Sequence, residues 1–213
     1  MQGRTGDGIA WMRANPDAWS RDSFFAVHNW WHLALYHLDR QEIDEVLKLY
    51  DGPIYGARSA VVMDMIDASA MLWRLHLRGV PVGDRWKALA DNWAPLASAG
   101  NYAFNDAHAA MAFVGAGRPA MIGTILDAQD RAMAGSGDNA RFTREIGRPV
   151  VLGLAAFGGV LKLRGKMGLH ETPWDYRPRR PVLNTAFGSN SACSVCCNFC
   201  CTGGKGVNTP TRR

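Results

Sequence analysis

Residues Phe24 to Leu38 read FFAVHNWWHLALYHL, and this stretch decides what kind of fold the chain forms. Its apolar residues surround the whole circumference of a helix, a pattern typical of a helix buried between neighbouring helices. We therefore expect one helix of about four turns. Two tryptophans and three histidines interrupt its aliphatic residues. Because every side of this helix needs a neighbour, the rest of the chain should supply helices that pack around it.

The remainder of the body is also helical in pattern. Apolar residues recur at spacings of three and four between Gly, Pro and Asn breaks, which predicts helices rather than strands. Asp22 or Ser23 is the expected N-cap of the central helix, and Asp84 is the expected N-cap of a later one. No strand-like alternation of useful length occurs, so the fold class is all-α. The further helices are predicted at 8–15, 41–50, 59–78, 84–95, 105–114, 120–133 and 141–157.

The predicted helices form pairs, and the pairs repeat. Antiparallel pairs are expected at 24–51, 59–95 and 105–133, with a fourth starting at Arg141 that lacks its partner. Aligning them places His76 and Phe113 under His37, at intervals of 39 and 37 residues, the size of a helix–turn–helix repeat. This pattern predicts tetratricopeptide-like helical hairpins, stacked as a short right-handed solenoid with a concave side.

Charge and cysteine divide the chain at about residue 160. Residues 1–159 carry 15 Lys and Arg against 17 Asp and Glu, whereas residues 160–213 carry nine against two. The net charge of +5 therefore belongs to the tail, which argues against a nucleic-acid partner for the body. We find no apolar run long enough for a membrane span and no secretory signal at the start. The expected compartment is the cytoplasm, with no membrane partner.

Four stretches have a distinctive residue order: VHNWWHLAL at 27–35, DASAMLWRL at 67–75, VGDRW at 82–86 and YAFNDAH at 102–108. Together they resemble segments of the tetratricopeptide repeat protein 38 family, and the His-Asn-Trp-Trp-His order is the most specific part of the resemblance. It covers residues 8–157 and implies an all-helical solenoid without an assigned reaction. Members of that family are longer, so the resemblance also implies a truncated fragment without the N-terminal repeats.

Polar residues on the first helix of each pair form a candidate site. His28 and His32 are one helical turn apart and face the same way. Two such histidines bind zinc in zincins, but that motif needs Glu directly after the first His, where this chain has Asn29. A metal would need a third ligand, and the repeat alignment puts His108 opposite His32. The residues expected to converge in the concave groove are His28, Trp31, His32, Asp67, Arg74, Asp106 and His108.

Three interpretations of these residues stay open. They form internal hydrogen bonds between stacked helices, or they line a groove for a peptide or small organic ligand. The third interpretation is a metal or hydrolytic site at His28, His32 and His108. No nucleophile motif, phosphate loop or dinucleotide motif is present. The leading hypothesis is a non-catalytic scaffold that binds a protein, peptide or small ligand without a cofactor, and the competing one is an enzyme using the three histidines.

The tail at 160–213 differs in character from the body. It is basic and holds all five cysteines, in the order Cys193-x-x-Cys196-Cys197-x-x-Cys200-Cys201. A structural zinc site usually has two ligand pairs separated by a folded loop, which this spacing lacks. The favoured hypothesis is a one-base reading-frame slip near Gly158, since Leu-Leu codons read out of frame give Cys-Cys. A genuine disordered tail and a metal-binding tail are the alternatives.

Both ends of the helical domain at 1–159 are expected to leave apolar side chains bare. Terminal repeats of a solenoid need polar outer faces, and we expect this chain to lack its N-terminal neighbours at one end and the partner of its last helix, near Gly158, at the other. Exposed apolar patches favour association, so we expect self-association. The side chains concerned are Phe24, Phe25 and Trp31 at one end, and Val151, Leu154 and Phe157 at the other.

Overall fold

The computed structural model describes residues 3–166, with side chains described as far as Gly159. Within this range the chain is all-helical and has no strand, as the sequence predicts. The α-helices are Thr5–Ala14 (α1), Asp17–Ser20 (α2), Ala26–Asp39 (α3), Ile43–Leu49 (α4), Val62–Leu77 (α5), Arg85–Trp93 (α6), Ala103–Gly115 (α7), Pro119–Met133 (α8), Asp138–Phe142 (α9) and Arg148–Lys166 (α10).

Three short turns of other helix types continue these helices. They are the π turns Tyr50–Ile54 and Thr143–Gly147 and the 3₁₀ turn Ala94–Leu96. The sequence predicts that Asp51-Gly52-Pro53 ends α4, but the chain continues as a wide turn that the Tyr55 amide closes on the Tyr50 carbonyl at 2.8 Å. Gly52 lies outside helical geometry there (φ −101°, ψ −108°), which accommodates the proline that follows it.

The helix starts are set by backbone turns rather than by the expected side-chain caps. The Ser23 hydroxyl accepts a hydrogen bond from the Phe25 amide, and α3 begins only at Ala26. Asp84 occupies the N-cap position of α6, but its side chain makes no capping hydrogen bond. The predicted start of α7 at 105 or 106 is also wrong, because the Tyr102 carbonyl already accepts from the following turn and the helix begins at Ala103.

The single helix predicted at 141–157 is wrong at both ends. The structure divides its beginning into α9 and a π turn, and α10 then continues to Lys166. The predicted boundary at 159 therefore falls inside α10. The predictions about the cysteine cluster and the origin of the tail concern residues that lie outside the described range.

The predicted pairs are in contact: α3 with α4, α5 with α6, and α7 with α8. The first helices of these pairs also contact one another in chain order, from α3 to α5 to α7, while α1 packs on α3. Helix α10, which the sequence leaves without a partner, packs on α7 and α8. Consecutive pairing together with contact between successive first helices positions the polar residues of α3 beside those of α5.

Four tryptophans fill the interior between the pairs. Trp31, Trp73, Trp86 and Trp93 are all buried, and Trp30 is half-buried in an edge-to-face contact with Trp19 at 4.6 Å between ring centroids. Such aromatic pairs add to the stabilisation from burial alone, by about 0.5–1.5 kcal/mol each. The tryptophans therefore serve mainly as packing residues.

The exposed ends agree with the prediction only in part. Phe24 and Phe25 are 71% and 53% exposed. Trp31 is buried instead, because the His28 ring and the Arg74 side chain cover it. Val151 is also buried, since α10 packs on α7 and α8, while Leu154 and Phe157 are half-buried. Across residues 3–166, no helix is both long and apolar enough to cross a membrane.

Candidate functional site

The candidate site lies where α3 packs against α5. His28 and His32 project from α3 one turn apart, and Asp67 projects from the facing side of α5. The Nδ1 atom of His28 lies 3.1 Å from each carboxylate oxygen of Asp67. The Nε2 atoms of His28 and His32 lie 3.0 Å apart. A carboxylate and two imidazoles thus form a continuous hydrogen-bonded chain.

The inner end of this chain is buried. Asp67 is 3% exposed, and its burial raises the pKa of the carboxyl group, although the hydrogen bond from His28 opposes that rise. The same hydrogen bond raises the pKa of His28 above its ordinary value, against the effect of its own partial burial. The two groups therefore hold a proton between them, with Nδ1 of His28 as the donor to Asp67.

The outer end of the chain reaches solvent at His32, whose side chain is exposed. Partial burial of the imidazole nitrogens, together with the charges of His28 and Arg74, lowers the pKa of His32 to about 4. His32 is therefore neutral at physiological pH and shares one proton with His28 through their Nε2 atoms. The arrangement suits the movement of a proton between a buried carboxylate and the surface.

Trp31 and Arg74 form the wall beside the two imidazoles. The Trp31 ring stacks on His28 at 5.4 Å between centroids and meets His32 edge-on at 5.1 Å. The guanidinium carbon of Arg74 lies 5.1 Å from the Trp31 ring centroid, and its Nη1 donates to the Ala70 carbonyl at 2.8 Å. The Trp31 indole nitrogen is buried and has no hydrogen-bond acceptor among the described residues.

His108 does not take the place that the sequence predicts for it. It is 1% exposed in α7, where its Nδ1 donates to the Phe104 carbonyl at 2.8 Å. Burial lowers the pKa of His108 to about 4, and the positive charge of Arg74 adds to that effect. Among the side chains described up to residue 159, no three His, Cys, Asp or Glu residues are arranged to hold a metal ion. The proposed three-histidine site with His28 and His32 is therefore wrong.

Asp106 is also absent from this cluster. Its side chain faces α8 instead. The carboxylate accepts a hydrogen bond from Nε2 of Gln129 on α8 at 3.1 Å, and burial raises the pKa of Asp106. Of the seven predicted groove residues, the structure brings five together: His28, Trp31, His32, Asp67 and Arg74.

The direct bond between His28 and Asp67 was not predicted, although the sequence contains its signal. The repeat alignment places these two residues at equivalent positions in successive pairs, 39 residues apart. Equivalent positions on the first helices of adjacent pairs lie side by side, so a His and an Asp at those positions come within hydrogen-bonding distance. Asp64, which helps to raise the pKa of Asp67 from one turn away, was missed because nothing in its spacing distinguishes it from a solvated surface residue.

No protein-family model matches the chain, and no solved structure matches it.

Proposed function

We propose that this chain is a helical-repeat scaffold of the tetratricopeptide type that binds a peptide segment of a partner protein in the cytoplasm. In this proposal the three hairpins stack as a short solenoid, as in the tetratricopeptide repeat protein 38 family that its sequence resembles. Two observations support the stacking: the first helices contact one another in chain order, and equivalent residues recur at intervals of 39 and 37 residues.

The observation that carries the binding proposal is the Arg74 guanidinium stacked on Trp31 beside the exposed imidazole of His32. This surface presents one permanent cation and two imidazoles, while its only carboxylate among these five residues, Asp67, is buried against His28. Charge complementarity therefore favours a peptide that carries Asp or Glu. The exposed rings of Phe24 and Phe25, which precede His28 by one turn, favour an apolar neighbour in that peptide.

The test uses short synthetic peptides in which Leu and Phe alternate with Glu, compared with the same peptides carrying Lys. A change in tryptophan fluorescence reports binding, and its loss in Trp31→Phe assigns that change to this surface among the eight tryptophans. We expect only the acidic set to bind, and we expect Arg74→Gln and His32→Gln each to weaken binding at least tenfold. The matched control is Arg131→Gln on α8, whose side chain is exposed and bonds to the Ser98 carbonyl. Equal binding of the Lys peptides, or no effect of either groove variant, would overturn the proposal.

A second candidate function is general acid–base catalysis, which the chain from Asp67 through His28 to His32 favours. A buried carboxylate that orients an imidazole is a recurring device for proton transfer in hydrolytic sites. Here a second imidazole extends the device to the surface. The check is hydrolysis of chromogenic carboxylic and phosphate esters. Turnover that His28→Gln abolishes and Asp67→Asn reduces would favour the enzyme, whereas turnover unchanged by both variants would exclude this site.

A further inference from the structure

We propose that His28 and His32 bind one divalent transition-metal ion through their Nε2 atoms, with Asp67 holding the His28 ring in place. This site differs from the three-histidine site that the sequence suggests, because His108 takes no part in it. It shares His32 with the peptide-binding proposal but does not need Arg74, so Arg74→Gln, which should weaken peptide binding and should not weaken metal binding, separates the two proposals.

The separation of the two nitrogens fits a shared metal. Bonds from imidazole nitrogen to zinc are about 2.0–2.1 Å long, so two such nitrogens on one ion are about 2.9 Å apart at a right angle and about 3.4 Å apart at the tetrahedral angle. The observed Nε2–Nε2 distance is 3.0 Å. The spacing of the pair therefore matches neighbouring positions of a square or octahedral ion, and rotation of the His32 ring would turn its nitrogen from His28 towards the ion.

Asp67 supplies the hydrogen-bond acceptor that metal-binding histidines usually have for the ring nitrogen that does not bind the metal. Such histidines donate the other ring N–H to a carboxylate, which fixes the tautomer and the ring orientation. Both carboxylate oxygens of Asp67 lie 3.1 Å from Nδ1 of His28. Because Nδ1 of His28 holds the proton of that ring, its Nε2 carries a lone pair. A bound ion would replace the proton now shared by the two Nε2 atoms, and that proton would pass to solvent or to Nδ1 of His32. Burial of Asp67 keeps this partner in one position.

The site is accessible to solvent, and two protein ligands would leave the other coordination positions of the ion unfilled. His32 is exposed, while His28 retains 21% of its side-chain surface. A bound ion would keep water molecules, or a donor group from another molecule, at its remaining positions. The nearby guanidinium of Arg74 opposes a cation, and the Asp67 carboxylate offsets that charge. These features predict modest affinity, well short of a closed structural site.

Ligand chemistry selects the class of ion. Two imidazole nitrogens suit copper, nickel and zinc, whereas magnesium and calcium prefer oxygen. A 3.0 Å separation of the two nitrogens is compatible with Cu²⁺, Ni²⁺ or Zn²⁺. Cu²⁺ is also the strongest binder in the series of divalent ions, so it is the most sensitive probe.

The experiment titrates the full-length chain with Cu²⁺ and records electron paramagnetic resonance. Thiols bind copper, so the protein carries serine at all five cysteine positions: Cys193, Cys196, Cys197, Cys200 and Cys201. We expect one ion per chain, with hyperfine structure from two imidazole nitrogens. His32→Gln should lower the affinity at least tenfold. Because His32 is exposed, this variant should retain the helical circular dichroism of the parent.

Two further variants make the result specific to this geometry. Asp67→Asn leaves both imidazoles in place and should weaken Cu²⁺ binding by about 10–100-fold, the range found when such carboxylate partners are removed. The matched control is His76→Gln on α5, whose imidazole lies between Trp73 and Trp86 and should not affect binding. Binding unchanged in His32→Gln or Asp67→Asn, or a spectrum with a single nitrogen, would overturn the proposal.

Discussion

The indole nitrogen of Trp93 donates a hydrogen bond to the hydroxyl oxygen of Ser69 across 2.9 Å, inside the core between α6 and α5. Ser69 in turn donates to the Met65 carbonyl one turn earlier in α5, at 2.7 Å. Both residues are almost fully buried. The Ser69 hydroxyl, in the middle of an apolar helix, thus accepts the hydrogen bond of the buried Trp93 N–H from the neighbouring helix. This bond fixes the rotation of one helix against the other.

Removing that hydroxyl should destabilise the fold more than the loss of one oxygen atom suggests. Ser69→Ala leaves the Trp93 N–H buried without a partner, which costs about 1–3 kcal/mol in the free energy of unfolding. Urea denaturation measures this loss. In the background of Trp93→Phe, which lacks the N–H, the same Ser69→Ala change should cost clearly less. Equal losses in both backgrounds would show that the bond does not couple the two helices.

Acid should destabilise the fold through His108. Its pKa in the folded state is about 4, below the ordinary value of 6.5, so the unfolded chain binds the proton more readily. The stabilisation is complete above pH 6.5 and is lost as the pH falls from there towards 4. Between pH 7 and pH 5 the loss from this group should be about 2 kcal/mol.

The variant His108→Asn tests this origin. The Asn amide keeps a donor for the Phe104 carbonyl and does not titrate, so its unfolding free energy should fall less between pH 7 and pH 5 than that of the parent. The pKa of His32 is also about 4, so His32→Gln should remove a further part of the acid sensitivity, and the double variant should show the weakest pH dependence. If His108→Asn keeps the full pH dependence of the parent, the acid sensitivity arises elsewhere.

Two glycines should respond in opposite directions to the same substitution. A Cβ atom at Gly115, the last residue of α7, would overlap the Trp86 ring. Gly115→Ala should therefore destabilise the fold by about 1–3 kcal/mol, as overpacking does. Gly123 lies inside α8 with no atom near its Cβ position, so Gly123→Ala should stabilise by about 0.5–1 kcal/mol. Thermal unfolding of both variants gives the comparison; a stabilised Gly115→Ala would contradict the packing described here.

The exposed rings at the start of α3 should promote self-association. Phe24 and Phe25 contact each other at 5.4 Å between ring centroids and remain mostly in solvent. Replacing both with Ser should shift the chain towards monomer in size-exclusion chromatography with light scattering. Val61→Ser is the control, because Val61 is also exposed, at 51%, but is a single aliphatic side chain. A monodisperse monomer for the parent chain would contradict the prediction.

The sequence predicts the elements well because helical period and Gly or Pro breaks are local signals. It predicts five members of the cluster around His28 because the repeat spacing brings equivalent positions side by side. It fails at His108 and Asp106 because His108 is buried in the core and Asp106 faces α8, and repeat position alone does not determine which neighbour a side chain of α7 meets. It also fails at Trp31 and Val151, since burial at an end depends on side chains and helices that arrive from distant parts of the chain.

The order of contacts among the first helices has a consequence for local opening. Helices α5 and α7 each pack between neighbours, whereas α1 packs on α3 at one margin. In such an arrangement, unfolding proceeds most easily from a margin inwards, one unit at a time. Amide protons of α1 should therefore exchange with deuterium first, followed by those of α3, while α5 and α7 retain theirs longest. The chain would then behave as a row of coupled units, with its most persistent structure in the middle.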